Sequence, residues 1–290
     1  MKRWHWLAIG ILAVLVVGGI GLQLYANQTA AKRVEAAFAS AEAHDVKITH
    51  EGVRYNLMDG QVTVSRMVLT PTGEEGASPL KIDEMVIREI DEGQEIPAFA
   101  DVSIRGVQLT GETFGKGFSE GLKQLEYGDL RADLDLTYRF SEDRTEINVD
   151  PVRLSIPQVA DLECRIHLGN LVPIETAHPS AVAGFPTWRL HSLDLQYADQ
   201  SLAPRIMKAV SEQNGINAQE IIQTTIDQIL KSGPPPAIAE GLAQARRFVG
   251  NPGTLTLNAA PKEPMPLQQV VFPENPLLLL DTLGVTLKAG

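Results

Sequence analysis

The stretch Val53-Arg54-Tyr55-Asn56-Leu57-Met58-Asp59-Gly60-Gln61-Val62-Thr63-Val64 decides the fold. Val53, Tyr55 and Leu57 alternate with Arg54, Asn56 and Met58, which is the two-residue period of a half-buried strand. Asp59-Gly60 supplies the pair favoured at positive φ in a tight hairpin turn. Val62 and Val64 return on the far side, and the apolar series runs on through Met67 and Leu69 to Pro71. The same strand pattern recurs at Leu80–Ile90, Ala98–Thr110, Leu130–Phe140, Thr145–Val149, Val152–Ile156, Val159–Leu168 and Trp188–Tyr197. Few helical patterns separate these runs. Parallel winding needs crossover helices, so the sheet is expected to be mainly antiparallel. Gly111 to Gly121 is glycine-rich and reads as a short helix leading into Leu125.

From Ser201 the period becomes 3.6. One helix is predicted over Ser201–Ser211. A second is capped by Asn217, with Glu220 three residues on, and carries a stripe of Ile221, Ile222, Ile226, Ile229 and Leu230. Gly233-Pro234-Pro235-Pro236 stops it. A third spans Ala237–Val249 and ends at Gly250, with Arg246 and Arg247 where a helix C-terminus favours positive charge. Thr254–Leu257 and Val285–Leu287 return to strand, with a short apolar helix over Pro276–Leu283 between them. The expected class is α+β: an N-terminal transmembrane helix, a mainly antiparallel β-sheet body, and a C-terminal helical segment that returns to the sheet.

Upstream, Lys2 and Arg3 precede an uncharged apolar run from Trp4 to Tyr25, and Lys32 and Arg33 follow it. At ~1.5 Å per residue the run gives ~33 Å, enough to cross a ~30 Å hydrocarbon layer. Trp4 and Trp6 at one end and Tyr25 at the other are placed as membrane-interface anchors. A cleaved signal peptide has a shorter apolar core and small residues before its cleavage site. Here Ala26 would have Leu24 at the third position upstream, and Ala31 lies far from the core, so retention as a single-pass anchor is the reading. The flanking charges tie. The short leading tail and its amino group favour an inside N-terminus, with the bulk of the chain beyond the cytoplasm. The organisation is then 1–27 anchor, 28–45 helical stalk, and 46–290 a β-rich extracytoplasmic domain with helices mainly in 201–250. The stalk carries Ala30, Val34, Ala37, Phe38 and Ala41 on one face. The span holds no G-x-x-x-G pair to suggest helix dimerisation.

The chain carries 25 Lys and Arg against 36 Asp and Glu, a net charge of −11. Four of those basic residues flank the span and every acidic residue follows Arg33, so the body is more acidic still. Phosphate neutralisation needs the opposite sign, and nucleic-acid binding is excluded as a function. Cys164 is the single cysteine. No intramolecular disulfide and no cysteine-based zinc site can form, and its strand-like context reads as a small apolar residue.

Six histidines are present. His5 lies at the start of the span. His44-Asp45 and His50 straddle a helix-to-strand junction with no metal-ligand spacing. His167 and His191 read as outward-facing polar positions of strands, and His178 lies in no motif. Gly117-Phe118-Ser119-Glu120-Gly121 has the G-x-S-x-G spacing, but it lies inside the glycine-rich stretch read as a short helix and not at a strand-to-helix turn, so it makes no nucleophile elbow. There is no P-loop or dinucleotide fingerprint, and Gly115-Lys116-Gly117 is G-x-G alone. Glu74-Glu75 and Asp91-Glu92 read as solvated loop charge. No catalytic residue, metal ligand or cofactor is assigned. A sheet with one apolar face must cover that face with its helices or leave a greasy groove for acyl chains or a hydrophobic partner.

The layout of one N-terminal membrane helix, a stalk, the strand pattern Tyr55-x-x-x-x-Gly60-x-Val62-x-Val64, and Leu193-Asp194-Leu195-x-Tyr197-x-Asp199-x-Ser201-Leu202 running into helices resembles the AsmA-like and YdgA-like envelope proteins of Gram-negative bacteria. The resemblance covers most of the chain in layout and brings no catalytic residues. It implies an inner (cytoplasmic) membrane anchor, a periplasmic β-rich body, and lipid handling or envelope assembly. Ten to twelve strands at ~4.8 Å make only ~50–60 Å, too short for a periplasm-spanning conduit. The expectation is a non-enzymatic, membrane-anchored envelope protein that binds lipid or a membrane-protein partner. A closed-core interaction module and an anchored hydrolase with an unrecognised site are the alternatives.

Overall fold

The computed structural model describes residues 46–56, 59–72, 78–91, 97–171, 187–272 and 282–290, together with Val34, Glu35, Phe38, Leu279 and Leu280. The expected span over residues 4–25, with Trp4, Trp6 and Tyr25, lies outside them, as does most of the stalk. No helix among the described residues is long and apolar enough to cross a membrane. The body is mainly antiparallel β-sheet with helices, and it divides into two compact units, Met1–Arg139 with Leu154–Ile156, and Phe140–Arg153 with Pro157–Gly290.

The first unit holds β1 (Val46–Thr49), β2 (Gly52–Tyr55), β3 (Val62–Pro71), β4 (Leu80–Ile90), β5 (Phe99–Leu109) and β6 (Leu130–Phe140, through Arg139). The strand order is β1-β3-β4-β5-β6, with β2 also on β3, and every pair is antiparallel. Strand β1 was not anticipated, because four residues after a helical pattern carry too little periodicity. Between β5 and β6 lie α1 (Gly111–Phe114) and α2 (Lys116–Gln124), where the glycine-rich helix was expected.

The β2–β3 hairpin is present, with Tyr55 opposite Val62. Its turn is wider than the two-residue form expected. Gly60 takes φ +72°. The Asn56 and Gly60 amides close the loop on the Gln61 and Asn56 carbonyls, each at 2.9 Å. Asp59 serves as an acceptor, for Asn56 Nδ2 at 2.8 Å and the Gln61 amide at 3.2 Å.

One face of this sheet carries the core: Val46, Ile48, Val62, Val64, Met67, Leu69, Ile82, Met85, Ile87, Ala100, Val102 and Ile104 are all buried. Val34 and Phe38 are helical, as expected, and each is only 4% exposed in this same core. These two stalk positions therefore pack on the sheet rather than stand in water. Burying such side chains contributes about 1.5–3 kcal/mol each.

The inward alternation does not run unbroken. It passes from Val64 to Met67 in β3, from Met85 to Ile82 in β4, and from Ile104 to Val107 in β5. Each jump skips one residue and would turn the rest of its strand inside out. The chain corrects it locally: Arg66 adopts φ +51° and Gly106 φ +65°. The irregularities thus form one seam across neighbouring strands. It ends at β6, where a register shift between Ile104 and Val107 absorbs the extra residue.

On the opposite face Ser103, 1% exposed, lies beneath an ionic cluster. Arg88 binds Asp101 at 2.7 Å and donates to Ser103 Oγ at 2.5 Å. Arg105 binds Asp135 at 2.6 Å, and Ser103 donates to Asp135. Partial burial pushes the Asp135 carboxyl upward, but the hydrogen bonds from Arg105 and Ser103 and the charges of Arg105 and Arg88 outweigh it and hold it below the usual value. A carboxyl depressed on folding stabilises the native state above its unfolded value of ~3.9 and loses that contribution as pH falls through the lower native value. Asp135→Asn is therefore expected to lower the urea midpoint at neutral pH and to flatten its fall on acidification below about pH 4.

The second unit holds β7 (Ile147–Ile156, through Arg153), β8 (Ala160–Gly169), β9 (Arg189–Asp199), β10 (Thr254–Ala259), β11 (Met265–Pro266) and β12 (Thr286–Ala289). The order is β7-β8-β9-β10-β12, with β11 beside β9. The two short strands expected at 145–149 and 152–156 are one strand that continues through Pro151. Three helices follow β9: α3 (Leu202–Asn214), α4 (Ala218–Lys231) and α5 (Pro236–Gly250). The Asn217 side chain caps α4 by accepting from the Glu220 amide at 3.1 Å, as the sequence pattern predicts. Pro236 opens α5 at a position where its missing N–H costs nothing. The short α6 (Leu267–Val271) was not anticipated. The helix expected over Pro276–Leu283 falls partly outside the described residues; Leu279, Leu280 and Thr282 are helical.

Candidate ligand-binding face

Strand pairing in the second unit aligns its apolar residues into rows on one face, because directly opposed residues point the same way. Leu162, Tyr197 and Leu255 form one row. Cys164, Leu195, Leu257 and Leu287 form the next, and Ile166, Leu193 and Ala259 the third. The intervening positions are polar: Asp161, Glu163, Arg165 and His167 on β8, and Asp194 and Gln196 on β9. This is the alternation of a sheet with one wet and one dry face.

The dry face is covered at its two ends. At one end Leu168, Leu171, Leu190, Ala259, Met265, Leu267 and Leu283 form a buried cluster, against which Ile166, Leu193 and Leu257 pack. At the other end α5 closes over the sheet. Phe248 meets Tyr197 edge-to-face at 5.9 Å, and Gln244 Oε1 accepts from the Ala289 amide at 3.1 Å. Between these ends Leu162, Cys164, Leu195, Leu255 and Leu287 lie outside the buried cluster and remain partly exposed. The contrast with the first unit, whose facing rows are almost wholly buried, is plain.

The helices add apolar surface. The stripe expected to bury α4 does so only in part: Ile226 is 8% exposed, but Ile221, Ile222 and Ile229 are exposed. Ile206, Val210 and Ile216 are exposed as well. Arg246 pairs with Asp227 at 2.7 Å across α4 and α5.

Cys164 sits in the middle row, half-buried. Burial, with the nearby Asp194 charge, pushes its thiol above the usual value, so it contributes apolar surface rather than a nucleophile. The wet face is laced by ion pairs. Arg153 binds Glu163 at 2.7 Å and Arg165 binds Asp150 at 2.7 Å. Hydrogen bonds from Arg153, opposed by slight desolvation and aided by the Arg153 and Arg165 charges, hold the Glu163 carboxyl below its usual value.

His5, His44 and His178 lie outside the described residues. His50 packs against Phe38 with ring centroids 5.3 Å apart. His167 and His191 lie on the wet face, where the strand pattern put them, but the structure also brings them together with Glu146. Neither the partial exposure of the dry face nor this convergence can be read from alternation alone, which reports the side a residue takes and not what covers it.

None of the curated proteins compared with the chain matches it. A family model described only as "Uncharacterized protein" matches residues 153–290, the stretch that contains β8, β9 and the three helices that follow β9.

Proposed function

We propose that the chain is a non-enzymatic, membrane-anchored envelope protein that holds lipid acyl chains on the half-open face of β8, β9, β10 and β12. The single observation that carries this reading is the apolar group Leu162, Cys164, Leu195, Leu255 and Leu287, left partly in water between two covered ends. Four strand axes span about 14 Å, and the three rows extend about 13 Å along the strands. That footprint is far below the ~800 Å² that each partner buries in a stable protein interface, and it fits a hydrocarbon chain. The apolar run over residues 4–25 supports a membrane anchor, and the envelope resemblance supports a body on the far side of the inner membrane. Among the described residues the inward rows of the first unit are buried, so the reading is confined to the second.

The full chain, extracted in a mild detergent, is expected to carry acyl-bearing lipid detectable by mass spectrometry. Leu195→Asp is expected to lower the bound lipid at least tenfold with little change in thermal midpoint, because the site is already partly wet. Lipid-free wild-type protein, or full retention of lipid by Leu195→Asp, would overturn the assignment. A photo-crosslinker at position 195 that captures a polypeptide instead of lipid would overturn it in favour of a protein partner.

A further inference from the structure

We propose that Glu146, His167 and His191 form a binding site for a divalent transition cation of borderline softness, zinc being the type. The site lies on the wet face of the second unit and is independent of the lipid reading. His167 is on β8 and His191 on β9, and regular pairing would not make them neighbours of this kind. The register shifts between His167 and Leu168, so that His167 faces Ser192 and Leu168 faces Leu190. His191 is the unpaired extra residue, and the bulge brings its ring to the side of His167. The two imidazoles stack with centroids 4.4 Å apart at 25°. Glu146, just ahead of β7, completes the group, with its Oε2 2.9 Å from His167 Nε2.

Gly169 makes the arrangement feasible. A Cβ at that position would overlap His191 Nε2, so only glycine leaves room for the ring. One donor atom from each of the three residues lies within 4.8 Å of the others. Tetrahedral zinc at bond lengths of ~2.0–2.1 Å needs its ligands roughly 3.3 Å apart. Small side-chain rotations, chiefly of the His191 ring out of the stack, close that gap. Two imidazole nitrogens with one carboxylate favour zinc, copper or nickel over magnesium or calcium, which prefer oxygen. All three side chains are partly exposed, which gives a cation an entry path and leaves coordination positions for water. Arg165, two residues along β8, is paired with Asp150 and Glu163. The acidic body draws cations towards its surface.

The test is calorimetric titration of the chelator-stripped full chain, in mild detergent, with zinc chloride in excess magnesium. One zinc per chain is expected. His191→Ala and His167→Ala should each weaken binding at least thirty-fold, and Gly169→Ala should weaken it although all three ligands remain. Glu146→Gln keeps the shape and loses the anionic oxygen, so it is expected to weaken zinc while leaving the apo thermal midpoint unchanged. Cobalt(II) added in place of zinc should give the visible bands of tetrahedral coordination, absent in His191→Ala. No zinc binding by the wild type, or binding that both histidine variants retain at full strength, would overturn the proposal.

Discussion

Met85→Asp is expected to abolish folding of the first unit. Met85 is 1% exposed, at the middle of β4, opposite Val64 on one side and Ile104 on the other. Those neighbours are themselves 0% and 3% exposed. A carboxylate there would face the apolar side chains of Val64 and Ile104, and its burial costs several kcal/mol even after relaxation. The lost transfer energy of the thioether side chain adds about 2 kcal/mol. Against a typical domain stability of about 5–15 kcal/mol, that sum removes most of the margin. Met85→Ala, which leaves a cavity without charge, is expected to cost about 2–5 kcal/mol. Limited proteolysis distinguishes the two. Met85→Asp should be cut freely within residues 46–139, while Met85→Ala should resist at low urea and show a lowered midpoint. Wild-type resistance in Met85→Asp would show that position 85 reaches solvent.

Gly106→Val is expected to destabilise the same unit by roughly 3 kcal/mol or more. Gly106 stands at φ +65° where β5 shifts register against β6. A β-branched residue in that region is strained by about 1–2 kcal/mol. Its Cβ would also overlap the Asp83 carboxylate, which accepts from Arg131 at 2.6 Å. The Gly106 amide donates to Asp133 Oδ1 at 2.8 Å, so the backbone cannot swing aside without breaking that bond. Gly106→Ala separates the contributions: it keeps the overlap and most of the backbone strain and should cost less than valine. Chemical denaturation of the two variants beside wild type measures both. A valine variant as stable as wild type would mean that the strand regularises without its glycine.

Most of the strands were legible because alternation is a direct imprint of a sheet with two unlike faces. Leu80–Ile90 and Leu130–Phe140 are found with the bounds the pattern gives. Asn217 was legible for an equally local reason, since a cap needs only one side chain and one amide. Elements that depend on distant partners were not. Strand β11 is two residues long and exists because β9 is beside it. The α4 stripe has the right period, yet Ile221, Ile222 and Ile229 face outward, because periodicity names a face without saying that anything lies against it. The same limit hid the convergence of Glu146, His167 and His191. Each alone is an ordinary polar strand residue, and a bulge that no local pattern announces puts them together. Gly169, ending β8 beside a bulky ring, was the one sequence trace of that packing.

The seam through Arg66 and Gly106 constrains how this fold can drift over generations. A codon lost from the seam of β3 alone would put Val64, Met67 and Leu69 in plain alternation but slip Met67 and Leu69 off Ile82 and Leu80, because β4 keeps its own matching jump between Met85 and Ile82. Length changes in these neighbouring strands are tolerable only when they occur in concert. Descendants of this chain should therefore keep the gap between their two inward pairs in β3 and β4 together, or lose it from both.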